Sequence, residues 1–152
     1  MKYAVVTTFH EPGYKQYGQR MVQTFLDHWP EEVDLYVYAE RCAVDEFAPN
    51  LIVLDLEHSS PELVRFKTTW HNVPKANGDI SMDPSRSRRE DAKKSFKWDA
   101  IRFAHKVYSI FHCAKSVDTD VLIWMYADTI CHSPITVGDL DRLCPPAFNL
   151  CF

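Results

Sequence analysis

Residues 120–128 read Asp-Val-Leu-Ile-Trp-Met-Tyr-Ala-Asp, the most apolar run of the chain. A run of this kind predicts a central strand covered on both faces of a sheet. Upstream of it, Phe96, Ala100, Phe103, Ala104, Val107, Phe111 and Ala114 recur at helical spacing and predict a buried helical stripe, with Lys97, Arg102, Lys106 and Ser109 off it. Further upstream, residues 71–87 carry Pro74, Asn77-Gly78, Asp79 and Pro84 and read as a long loop, followed by a charged stretch over 86–94. Ser60-Pro61-Glu62 looks like a helix cap with proline in the first turn, opening a helix to about Trp70.

The first half alternates in the same way. Residues 2–9 (KYAVVTTF) predict a buried strand and His10-Glu11-Pro12-Gly13 a turn. Tyr14, Tyr17, Met21, Val22, Phe25, Leu26 and Trp29 form one apolar helical stripe, ended by Pro30. Residues 33–39 (VDLYVYA) and 51–56 (LIVLDL) predict two more strands, the second short and buried. Beyond the opening run, a short helix is expected near Val137–Leu143. Strands alternating with helices predict an α/β fold of three layers, with a mostly parallel sheet and a Rossmann-like nucleotide-binding topology. Ligands of such sheets sit beyond the carboxyl ends of the strands. Those ends are Thr7-Thr8-Phe9-His10, Ala39-Glu40-Arg41, residues 55–58 and Ala127-Asp128-Thr129.

Composition narrows the function classes. The 152 residues include 17 Lys+Arg and 21 Asp+Glu, a formal net charge of −4, which makes a poor nucleic-acid surface. There is no apolar run long enough to span a membrane and no signal-peptide pattern. The odd cysteine count (Cys42, Cys113, Cys131, Cys144, Cys151) without a CxxC predicts free thiols and a cytoplasmic setting. One domain is expected over residues 1–143. Residues 144–152 have no helix or strand period and read as an irregular tail, truncated or frame-shifted.

Nucleotide motifs based on glycine are missing. No GxGxxG follows a strand, and Gly13 and Gly18 have the gap of a phosphate-binding loop but are followed by Gln19-Arg20. There is no GxSxG and no HExxH. A diphosphate would then be held by a metal or by basic side chains. Asp128, directly after an apolar strand, is the candidate ligand for Mg²⁺ or Mn²⁺, with a carboxylate capping the next turn as the competing reading.

The segment from Asp120 to Asp128-Thr129 resembles the metal-binding strand of GT-A glycosyltransferases, including the glycogenin-like branch, in which an apolar strand ends in Asp-x-Asp, often Asp-Ala-Asp-Thr. The helix from Phe96-Lys97-Trp98-Asp99-Ala100 to Ala114 resembles the one before that strand, and Thr7-Thr8 their uridine-binding opening. The likeness runs from about residue 2 to 143. It implies a nucleotide-diphospho-sugar transferase that moves a sugar from a nucleoside diphosphate sugar, UDP-sugar favoured, to an acceptor hydroxyl, assisted by Mn²⁺ or Mg²⁺. It implies nucleotide-sugar contacts at Thr7, Thr8, Lys97, Asp99, Tyr126, Ala127 and Asp128, with Asp128 the metal ligand. Tyr126 stands where the motif has its first aspartate and supplies no charge near neutral pH. The family's acceptor site, and often a late histidine ligand, lie beyond the motif, where this sequence has only residues 129–152.

No general base is nominated. His105 and His112 read as structural, Arg86, Arg88 and Arg89 as a solvated run or a phosphate clamp, and His132 as a substitute metal ligand. Two other functions remain open: a non-catalytic nucleotide-binding or interaction domain, and a nucleotidyltransferase. Apolar surface left exposed would make the chain dimeric.

Overall fold

A computed structural model describes residues 1–79 and 94–145, with residues 94–98 described for their backbone. β1 (Tyr3–His10) leads into α1 (Glu11–Gly13), a π-helical turn (Tyr14–Gly18) and α2 (Gln19–His28). β2 (Asp34–Glu40) and β3 (Leu51–Asp55) follow, then α3 (Leu56–Ser59) and α4 (Pro61–Trp70). A 3-10 turn (Pro74–Ala76) precedes β4 (Asn77–Asp79); β5 (Lys94–Asp99), α5 (Ala100–Ser116), β6 (Val121–Trp124) and α6 (Val137–Leu143) complete the order.

The main sheet has the order β3-β2-β1-β6, and every pairing in it is parallel. β4 and β5 form a separate antiparallel pair. Alternation along β1 sends Val5 and Phe9 to one face and Val6 to the other. The first face meets Met21, Val22 and Phe25 of α2 and Leu140 of α6. The second meets Leu56, Leu63, Ala104 and Cys113 from α3, α4 and α5. Helices on both faces of a parallel sheet make the three-layer α/β arrangement expected from the alternating pattern.

Local chemistry explains the boundaries. Gly18 lets the helical run lie against β1: a Cβ there would stand 3.0 Å from the Phe9 ring. At Gly13 a Cβ would meet the Tyr17 hydroxyl at 2.5 Å, the end of a side chain that can swing aside. Gly18 thus serves packing against β1. Ser60 and Pro61 stand at the start of α4 as expected, although the Ser60 side chain makes no capping hydrogen bond, and Thr136 with Asp139 closes a capping box at the start of α6.

Several expectations are corrected. The second long helix begins at Ala100, because the Asp99 carboxylate accepts from the Arg102 N–H at 2.8 Å and caps it. Phe96, Lys97 and Trp98 therefore belong to β5. The helix does not bury the Phe103-Val107-Phe111 stripe; these residues are exposed, and Ala104, Ser109 and Cys113 face the sheet instead. Small residues let α5 approach the sheet closely, and Ser109 is satisfied by donating to the His105 carbonyl at 2.8 Å. β6 is four residues long and half-buried, and it is the outermost of the described strands on its side. It ends at Trp124 because the chain turns at once, the Thr129 N–H donating to the Tyr126 carbonyl at 3.0 Å. β3 likewise is a half-exposed edge strand. Within the expected loop over 71–87, the 3-10 turn and β4 are ordered elements. Residues 80–93, including Arg86, Arg88 and Arg89, and the tail 146–152 lie outside the described residues.

Candidate functional site

β1 connects through α2 to β2 on one side and pairs with β6 on the other, so the strand order reverses between β1 and β6. Parallel α/β sheets bind ligands at such a reversal, past the strands' carboxyl ends. A cleft of about 470 Å³ occupies that place. Thr8, Phe9 and His10 enter it from β1, Glu40 from β2 and Lys67 from α4. Asp99, Arg102, His105 and Lys106 line it around the start of α5, and Trp124 and Tyr126 close it at the end of β6.

Two polar groupings divide this cleft. In the first, Lys106 Nζ donates to the Tyr126 hydroxyl at 3.1 Å and lies 4.6 Å from the Tyr126 ring centre and 5.0 Å from that of Trp124. The two rings meet edge to face at 5.9 Å. Lys106 makes no ion pair with a carboxylate among the described residues, so its charge is held by aromatic faces. In the second, Glu40 is the hub. One of its oxygens receives Lys67 Nζ at 2.6 Å and the other stands 3.4 Å from His105 Nδ1. Lys67 also lies 3.6 Å from Glu57, which Arg41 grips through two nitrogens at 3.1 and 3.2 Å. Arg41 adopts φ 49°, a left-handed conformation uncommon outside glycine, directly after the strand end that carries Glu40.

The electrostatics follow from this crowding. Burial pushes the Glu40 carboxyl up, but the Lys67 hydrogen bond and the charges of His105, Lys67 and His10 outweigh it and hold it below the ordinary carboxylate value. Burial pulls the His105 imidazole below its ordinary value, against the upward pull of Glu40. Its Nε2 atom is screened from solvent and has no hydrogen-bond partner among the described residues.

The residues singled out from sequence are only partly brought together. Thr8, Asp99 and Tyr126 line the cleft. Thr8 already donates its hydroxyl to the Tyr38 carbonyl at 2.7 Å, leaving its oxygen free to accept. Thr7 is fully buried, since adjacent strand residues point to opposite faces. Lys97 lies on β5, and its side chain falls outside what is described. Ala127 is half-buried and Asp128 exposed in the turn after β6. Tyr126 and Asp128 do not share a strand face as i and i+2, because the strand has ended before them. Among the described residues no three His, Cys, Asp or Glu side chains gather as a metal's ligand set. His112 is structural as expected: its Nδ1 lies 2.8 Å from the Tyr38 hydroxyl.

Glu40, Lys67, His105 and Lys106 are the site residues that periodicity missed. The signal for Glu40 was its place at a strand end. His105 and Lys106 sit on a helix whose inward face the sequence pattern gives to larger apolar side chains, and Lys67 on a helix for which the pattern assigns no inward face.

No helix among the described residues is long and apolar enough to cross a membrane. No protein family, curated protein or solved structure matches this chain.

Proposed function

We propose that this chain holds the nucleoside-diphosphate-sugar site of a glycosyltransferase of GT-A-like fold, with UDP-sugars as the favoured donors. The observation that carries the reading is the cleft at the β1–β6 reversal, where Lys106 stands between two aromatic rings with no carboxylate among the described residues to neutralise it. The Tyr126 ring, largely exposed, offers a stacking face for a base. Lys106 offers a cation to a diphosphate, and Thr8 an acceptor oxygen to a nucleobase or ribose donor. Asp128 is a single hard oxygen donor of the kind that Mg²⁺ or Mn²⁺ uses together with substrate phosphate oxygens. The ion would neutralise charge on the departing diphosphate. The exposed stripe of α5 is the surface through which a second copy would pack.

Calorimetric titration with UDP, with and without Mn²⁺, tests the reading. UDP should bind, more tightly with Mn²⁺. Lys106→Met should weaken binding about tenfold, equivalent to about 1.4 kcal/mol. Asp128→Ala should remove the Mn²⁺ dependence without lowering the melting temperature, because Asp128 is exposed. Absence of heat under both conditions would end the proposal. A second reading, a non-catalytic nucleotide-binding domain, is favoured by Tyr126: where a carboxylate would strengthen a metal site, it instead accepts a hydrogen bond from Lys106. UDP binding indifferent to Mn²⁺, without turnover of any UDP-sugar, would favour that reading.

A further inference from the structure

The Glu40–His105 pair links α5 to the end of β2, but that link uses only one of the two His105 ring nitrogens. Three elements converge on it: the end of β2, α4 through Lys67, and the second turn of α5. A carboxylate and a lysine at 2.6 Å would be a complete ion pair by themselves. Yet the second Glu40 oxygen is turned to His105 Nδ1, and the distal nitrogen of this cleft-lining residue is screened from solvent with no partner among the described residues. A buried polar atom without a partner is costly and calls for an explanation. In the tautomer whose Nδ1 proton faces Glu40 across 3.4 Å, Nε2 carries the unused lone pair. A carboxylate that orients an imidazole so that its far nitrogen accepts a proton is the arrangement of a general base.

We propose that His105 is the catalytic base of this cleft and Glu40 its positioning residue. The inference rests on the nucleoside-diphosphate-sugar reading given above. In the step it implies, the acceptor hydroxyl gives its proton to His105 Nε2 as its oxygen forms a bond to the anomeric carbon of the sugar. The bond from that carbon to the diphosphate oxygen breaks, and its electron pair leaves with the nucleoside diphosphate. Glu40 faces the imidazolium that results. A single displacement of this kind inverts the anomeric centre. The depressed proton affinity of His105 keeps it unprotonated, and so able to accept, at neutral pH. The groups that set this are Glu40 on β2, Lys67 on α4, His10 on β1 and Glu57 on α3.

The test uses UDP-glucose with water as the acceptor, alongside UDP binding by calorimetry on the same preparations. Wild type should bind UDP and release it from UDP-glucose, with an acidic limb in the rate below the ordinary histidine range and β-glucose as the first sugar product. His105→Gln should bind UDP within about threefold of wild type while losing roughly a hundredfold or more in turnover, the usual worth of a positioned base. Glu40→Gln should move the acidic limb to lower pH, because Glu40 raises the proton affinity of His105. If His105→Gln does not fold, the wild-type limb and its displacement in Glu40→Gln decide alone. UDP binding with no wild-type turnover, α-glucose as first product, or a limb unmoved by Glu40→Gln would overturn the base and leave the nucleotide reading standing. Failure to bind UDP at all would overturn both.

Discussion

On one face of the sheet, α2 seals Met21, Val22 and Phe25 against the strands with none of their surface left exposed. On the other, α5 leaves Phe103, Val107 and Phe111 at 44%, 47% and 62% exposure. Both helices carry an apolar stripe of similar period, yet only one uses it for the core. α2 has large side chains on its inner face and Gly18 just upstream, which brings it close to β1. α5 turns inward a mixed face, Ala104, His105, Ser109, His112 and Cys113, which reaches the sheet through small side chains and through polar links to Glu40 and Tyr38. Hydrophobic period tells which residues of a helix share a face. It does not tell which of two usable faces the fold turns inward when the polar one has partners waiting for it.

The largest effect expected from this contrast is on stability. Phe25→Ala should cost about 3–5 kcal/mol, the range for emptying an aromatic site in a closed core. Phe111→Ala should stay within about 0.5 kcal/mol of wild type, as for surface changes elsewhere. Urea denaturation of the two variants measures the difference directly. Equal losses would mean that α5 is covered as tightly as α2, and the contrast would fall.

A smaller effect should appear in self-association. A contiguous exposed apolar stripe marks an interaction surface. Sedimentation equilibrium should therefore show an average mass that rises with concentration in wild type and stays near the monomer in Phe111→Glu. A mass that does not depend on concentration in either protein would remove the second copy from this face.

The contrast also explains how much of the molecule was legible in its sequence. The strands of the first half follow their patterns within a residue or so, because β1, α2 and β2 make a tight core in which local period and burial agree; the turn expected over residues 10–13 is instead the end of β1 and the helical start Glu11–Gly13. The last third departs where a polar cap or turn overrides apolar content. Asp99 stops the helical period from extending back to Phe96, and the turn after Trp124 cuts the DVLIWMYAD run in half. The cleft's place at the strand ends was readable from topology. Its inner polar residues were not, because Glu40, Lys67 and the adjacent His105 and Lys106 come from three separate elements and form no spaced motif. Packing of α4 and α5 on one face of the sheet beside the end of β2 brings them together.

The smallest expected effect concerns pH, and it too separates the two faces. The α2 core is a cluster of apolar and aromatic side chains, with carboxylates at its margin, where Tyr3 and Tyr14 donate their hydroxyls to Asp141 and Glu46. The α5 side contains both Glu40 and His105. In the folded chain each holds its proton less firmly than at its ordinary value, 4.5 for Glu40 and 6.5 for His105. The unfolded chain therefore binds more protons across both windows, and stability must rise with pH. The His105 contribution is complete above 6.5 and is lost as pH falls through its lower folded value. The Glu40 contribution is complete above 4.5 and is lost further into acid. Lowering the pH from about 7.5 to 5 passes below the ordinary His105 value of 6.5 and stays above the ordinary Glu40 value of 4.5, so it enters the first window alone; each tenfold change in proton affinity is worth about 1.4 kcal/mol at most. Wild type should thus lose melting temperature over this interval, and His105→Gln should lose less, its curve flattened because the buried imidazole no longer has to take up a proton. A variant whose curve runs parallel to wild type would show that the acid sensitivity arises outside the cleft. The contrast between the two faces would then be one of packing alone.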